Sequence, residues 1–185
     1  MAATQHAQQL KQDSQTYLTT ALLQLLETHD LNTISVTQVV KRAGVSRMAF
    51  YRNFETLDDL LAAYFRPKLT ARFNDVVNGV PQAEKLAAMG QFFQELAPTL
   101  QLATQRGFEE IIRQVFNQNM EAFYQTTLAE TPLTPVQRRY WTKFMSAGVY
   151  AIWREWLLTG QHESLTTIHA LIAGFQTQTM ASLRA

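Results

Sequence analysis

SVTQVVKRAGVSRMAFYRNF, residues 35–54, decides the fold. Ser35 can cap a helix, and Gln38, three residues on, completes a capping box. Val36, Val39, Val40 and Ala43 then recur at helical spacing and give that helix one apolar face. Gly44 stands where a terminating helix needs a residue able to adopt positive φ. Val45 continues the core, and Ser46 can cap a second helix over Arg47 to Asn53. Two short helices across a glycine turn have the spacing of a helix-turn-helix.

The second helix has two distinct sides. Phe50 and Phe54 lie four apart and can pack on Val39, Val40 and Val45, which leaves Arg47, Met48, Tyr51 and Arg52 on the other faces. Between Leu31 and Phe54 the charged residues are Lys41, Arg42, Arg47 and Arg52, with no Asp or Glu. That pattern suits a helix entering a major groove. Arg47 can read guanine in bidentate fashion, Ser46 adds a hydroxyl at the helix start, and Tyr51 or Asn53 can reach a phosphate or a base edge.

From about Thr16 to Phe65 the chain resembles the tetracycline-repressor (TetR) family of bacterial one-component regulators. The resemblance rests on Ser35, Ala43, Gly44, Val45, Ser46, Phe50, Tyr51 and Phe54 taken together. It implies a homodimer with a three-helix DNA-binding domain and a larger helical domain for ligand and dimerisation. Carried over by position, Ser35 and Thr37 would touch the DNA backbone, while Ser46, Arg47, Met48, Ala49, Tyr51 and Asn53 would lie on the DNA face. Two positions depart from the family pattern. Leu57 stands where a phosphate-binding lysine is common, and Met48 where a small residue or proline is common. Loss of one cation should flatten the salt dependence of binding by about one unit of slope.

The rest of the chain reads as helix, which makes the expected class all-α with about nine helices. Leu18, Ala21, Leu22, Leu25 and Leu26 stripe the first, and Thr56 with Asp59 caps the fourth. Pro67 is expected to bend or restart the chain, and Gly79-Val80-Pro81 to break it. Further helices are expected over about 82–96 and 98–105, divided at Pro98, then 107–129, 135–159 and 164–183. The expected division is a frayed N-terminus over 1–12, a DNA-binding domain over 13–66, and a ligand-binding and dimerisation domain over 67–185.

Within the larger domain, Phe92, Phe93, Phe116, Phe123, Trp141, Phe144 and Met145 are candidates to line an apolar cavity for a small apolar or aromatic effector. Tyr150, Ile152, Trp153, Ile168, Leu171, Ile172 and Phe175 give the last two helices more apolar area than one core face needs. They are the candidate dimer interface, a four-helix contact about a twofold axis.

The 185 residues are 46% hydrophobic and 17% charged, the composition of a folded globule. Six basic and six acidic residues balance over positions 1–66, so attraction to DNA must come from placement and not from net charge. Cysteine is absent, which excludes disulfides and thiolate chemistry. No signal peptide or membrane-length apolar run is present, and a cytoplasmic location is expected. His162 and His169 lie seven apart, not at the i, i+4 spacing of a helical zinc pair. Glu109-Glu110 suits a helix start. No catalytic set, metal site or cofactor is expected. The reading is a dimeric regulator, most commonly a repressor in such a family, that binds a palindromic operator. The alternative is a coactivator or adaptor of the same fold that acts through a protein partner and binds DNA weakly.

Overall fold

The computed structural model describes residues 2–184 as helices joined by short turns, and no strand occurs among them. In chain order they are α1 (Ala2–Leu26), α2 (Val36–Ala43), α3 (Arg47–Tyr51), α4 (Leu57–Asn78), α5 (Lys85–Arg106), α6 (Glu109–Thr127), α7 (Pro135–Leu158) and α8 (Leu165–Arg184). Single 3₁₀ turns at Leu31–Thr33 and Gln82–Glu84 precede α2 and α5.

Two expected breaks do not occur. Pro67, expected to bend or restart the chain, lies inside a continuous α4, and Pro98 lies inside α5, so the two helices expected on either side of Pro98 are one and the described helices number eight where about nine were expected. A proline in a helix frees the carbonyl four residues earlier. Here those residues are Ala63 and Gln94, both exposed, so water can satisfy the freed groups and the helices continue. The Gln-rich beginning, expected to fray over 1–12, forms the first turns of α1; Met1 lies outside the described residues.

The chain divides into two compact units, Met1–Pro67 with Leu102–Ile112, and Lys68–Gln101 with Arg113–Ala185. The first unit is built on α1. Leu18, Leu22 and Leu26 are fully buried in it, with Val39, Phe50, Leu60 and Leu61. The end of α5 and the start of α6 belong to this unit. Phe108 is 1% exposed and stacks on Phe65, with ring centroids 5.8 Å apart. Arg106 donates to the Glu27 carbonyl at 2.8 Å and pairs with Asp30 at 3.3 Å, pinning the turn before α2.

The second unit is an aromatic-rich bundle. Phe93 and Trp153 stack at 3.9 Å, and Trp153 meets Trp156 edge-on at 5.5 Å. Two indole N–H groups find acceptors: Trp156 donates to the Glu163 carbonyl and Trp141 to the Thr179 hydroxyl, each at 2.9 Å. A capping box at Thr134 and Gln137, with Pro135 in the first turn, starts α7. At Gly90 the helices α5 and α8 come so close that an added Cβ would collide with the side chain of Leu165.

Candidate nucleic-acid interface

The turn between α2 and α3 is held by local bonds that the sequence dictates. The Ser35 hydroxyl accepts from the Gln38 N–H at 3.3 Å, and the Ser35 N–H donates to Gln38 Oε1 at 2.8 Å. Gly44 ends α2 at φ 68°, a left-handed conformation that costs a residue with a side chain about 1–2 kcal/mol. The Val45 N–H then returns to the Val40 carbonyl at 3.1 Å. Ser46 caps α3, its hydroxyl accepting from the Ala49 N–H at 3.1 Å. Phe50 is fully buried and anchors the short helix, with Phe54 beside it at 5.8 Å.

With Phe50 inward, the opposite side of α3 is turned to solvent. Met48 is 71% exposed and Tyr51 59%, large apolar surfaces that a monomeric globule has no reason to display side by side. Arg47 and Arg52 are exposed as well. Arg47 does not hang free: its guanidinium donates to the Thr37 hydroxyl on α2. Arg42 reaches back to Gln24 of α1 at 2.8 Å, which leaves Lys41 as the exposed cation of α2 with no such tether. Ser35, Thr37 and Ser46 are exposed, and Ala49 is half-buried.

Asn53 is placed differently from the expectation. Its amide nitrogen donates to the Ala49 carbonyl at 2.8 Å, and its Oδ1 is buried without a partner. The residue follows the end of α3, where the side chain folds back to close the last turn, so it is not presented outward.

The start of α4 is acidic. Asp58 and Asp59 occupy its first turn, and Asp59 accepts from the Thr56 N–H and hydroxyl, both at 2.9 Å. The hydroxyl bond is the largest influence holding the Asp59 carboxyl below its usual range, followed by the Thr56 backbone bond. Leu57, at the position where a phosphate-binding cation was looked for, is 8% exposed and part of the core. A lysine there would have to displace core packing.

In the second unit a cavity of about 320 Å³ lies among α4, α5, α6, α7 and α8. Of the residues expected around a cavity, Phe92, Phe93, Phe116 and Phe123 line it. Trp141, Phe144 and Met145 do not. Trp141 and Met145 face α8, where the Thr179 hydroxyl meets both, and Phe144 is 64% exposed. The wall instead includes Phe73 and Val76 from the part of α4 beyond Pro67, Trp153 of α7, and His169 and Gln176 of α8.

The expected dimer residues separate in the same way. Tyr150, Trp153, Ile168 and Ile172 are buried in the subunit's own core, since α7 and α8 turn these positions towards each other and the bundle. They are therefore unavailable to a partner. Ile152 is half-buried, whereas Leu171 and Phe175 are about half exposed. Sequence reasoning missed their exposed counterparts on α7: Val136, Tyr140 and Phe144, at i, i+4 and i+8, each 59–64% exposed.

Among the described residues, no cluster of three or more His, Asp or Glu could hold a metal, and no helix is long and apolar enough to cross a membrane. His162 and His169 are exposed.

Residues 18–64 match the model for bacterial regulatory proteins of the tetR family. Two solved structures share the overall fold. One, titled a TetR transcriptional regulator from Streptococcus agalactiae 2603V, is 19% identical with a TM-score of 0.63, covering 95% of this chain and 99% of that one. The other, titled a dihydroxyacetone kinase operon activator, is 17% identical with a TM-score of 0.51, covering 92% of this chain and 96% of that one. No curated protein matches the chain.

Proposed function

The chain carries the DNA-binding domain of the tetR family of bacterial regulatory proteins, and from that premise we propose a dimeric one-component repressor that binds a palindromic operator and is released by a small effector. A DNA-binding transcription regulator is the coarse reading. The observation that carries the finer one is the sidedness of α3. Phe50 is fully buried while Met48 and Tyr51 stand in solvent beside Arg47 and Arg52. A helix so arranged can seat its outer face in a major groove, with Arg47 on base edges and Arg52, Thr37 and Lys41 at phosphates.

Two copies are needed because one short helix reads only a few base pairs. Val136, Tyr140 and Phe144 on α7 and Leu171 and Phe175 on α8 form exposed apolar rows that support an isologous four-helix contact. Such a dimer reads half-sites roughly 34 Å apart, one helical turn of DNA. The cavity in the second unit is large enough for a small molecule, and an effector that favours a dimer with altered helix spacing shifts the population away from the operator-bound form.

The second reading is an adaptor that binds DNA weakly and acts through a protein partner. The acidic first turn of α4 and the buried Leu57 favour it, because they remove cations from the border of the DNA face. One structural neighbour is titled an operon activator, so activation in place of repression is the matching outcome there. Selection of bound duplexes from random DNA separates the readings. Enrichment of an inverted repeat supports the repressor, and no enrichment supports the adaptor.

A further inference from the structure

The cavity of the second unit has an uneven chemistry. Phe93, Phe116, Phe123 and Trp153 present ring faces and edges, with the Phe93–Trp153 stack at 3.9 Å fixing one wall. No Asp, Glu, Lys or Arg stands among the described residues that line it. Its polar groups are on α8 alone: His169 and Gln176, seven residues apart and therefore on one helix face. His169 is exposed, whereas Gln176 is half-buried and held by one bond. Its amide nitrogen donates to the Tyr124 hydroxyl at 2.5 Å. That bond orients the amide and leaves Oε1 as the acceptor with no protein partner.

We infer that the cavity selects an uncharged molecule of one or two aromatic rings carrying a single N–H or O–H donor, received by Gln176. The inference rests on the reading of the second unit as an effector domain and adds the chemical class of the effector. With no Asp, Glu, Lys or Arg in the wall, a charged ligand would lose its hydration and find at most the exposed His169 imidazole in exchange. The volume of about 320 Å³ is at the small end of ligand sites, which excludes long-chain or multi-ring molecules. Met89 at the wall can adjust to the ring edge.

A matched pair of probes tests this on the full chain. 2-Naphthol is neutral, with two rings and one O–H; 6-hydroxynaphthalene-2-sulfonate is the same skeleton with a fixed negative charge. Isothermal titration calorimetry measures the affinity and stoichiometry of either. The neutral probe should bind one per chain, at least about tenfold tighter than the sulfonate. Gln176→Leu should weaken the neutral probe by about three- to tenfold, the loss of one hydrogen bond. It should leave naphthalene, which has no donor, bound as well as before, and retained naphthalene binding also shows that the variant folds. Equal or tighter binding of the sulfonate, no binding of either probe, or an equal loss of naphthalene in Gln176→Leu overturns the inference. Duplex selection with the same preparation keeps the two levels apart: enriched DNA with failed probes sinks only the effector class, and unenriched DNA sinks the regulator.

Discussion

The guanidinium of Arg47, at the start of α3, donates to the hydroxyl of Thr37 on α2. The bond crosses the turn that Gly44 makes and fixes a long side chain on the exposed side of the motif. A guanidinium held in place loses less rotamer freedom when it meets a base pair, so ordering before binding adds to affinity.

Arg47→Ala is expected to weaken binding to the selected operator by about 1–3 kcal/mol, with a much smaller loss on random DNA. Thr37→Val, which removes the acceptor of Arg47 together with the hydroxyl proposed for a phosphate, should produce a smaller loss, felt on both DNAs. Fluorescence anisotropy on both DNAs measures this. Equal losses on operator and random DNA would assign Arg47 to a phosphate.

Among the described residues, Met48 is the most exposed large apolar side chain, at 71%. A methionine on a groove-facing helix suits the methyl group of thymine, at roughly 0.8 kcal/mol per methyl-sized group buried. Replacing single thymines of the operator by uracil should weaken the wild type at one position in each half-site and leave Met48→Ala unchanged there. A uniform response of both proteins would remove Met48 from base reading.

Phe144→Asp combined with Phe175→Asp should abolish self-association in sedimentation velocity while helical content by circular dichroism is kept. Both side chains are more than half exposed, so the charges meet water in the single chain. An aspartate at Trp153, which is 2% exposed, should instead unfold the second unit. Dimers persisting in the double variant would place the contact elsewhere.

Tyr124 gives a pH signature. Burial pushes its phenol up to about 12 from an ordinary value near 10. The folded state therefore holds a proton that the unfolded state releases, and stability falls as pH rises from about 10 to about 12. Below that window the contribution is fully present. Tyr124→Phe should flatten the decline in urea midpoint between these values; an unchanged slope would show that the phenol ionises in the folded chain.

The first unit was more legible in the sequence than the second. Ser35, Gly44, Ser46 and Thr56 act through their own backbone neighbours, and local chemistry can be read from a single stretch of residues. The cavity wall could not be read in the same way. Phe73 and Val76 were hidden by the expectation that Pro67 bends or restarts the chain, because whether a freed carbonyl meets water depends on which side of the helix faces out. The facing of α7 and α8 was also concealed. Trp153 and Phe144 look alike as aromatic residues of one helix, yet one stacks on Phe93 and the other points into solvent. Apolar content on every side of a helix leaves its rotation undetermined until the neighbouring helices are placed. Asn53 was misread for a local reason: the helix ends at Tyr51, so its amide closes a turn and is not on a continuing face.

The most direct measurement of the central claim is the ratio of affinities for the selected inverted repeat and for a shuffled duplex of equal length, titrated by mobility shift at 150 mM salt. A sequence-reading dimer predicts a ratio on the order of 10³ or more, with two chains bound per repeat and sensitivity to inserting half a helical turn between half-sites. Equal affinity for both duplexes, with no effect of the insertion, would contradict it.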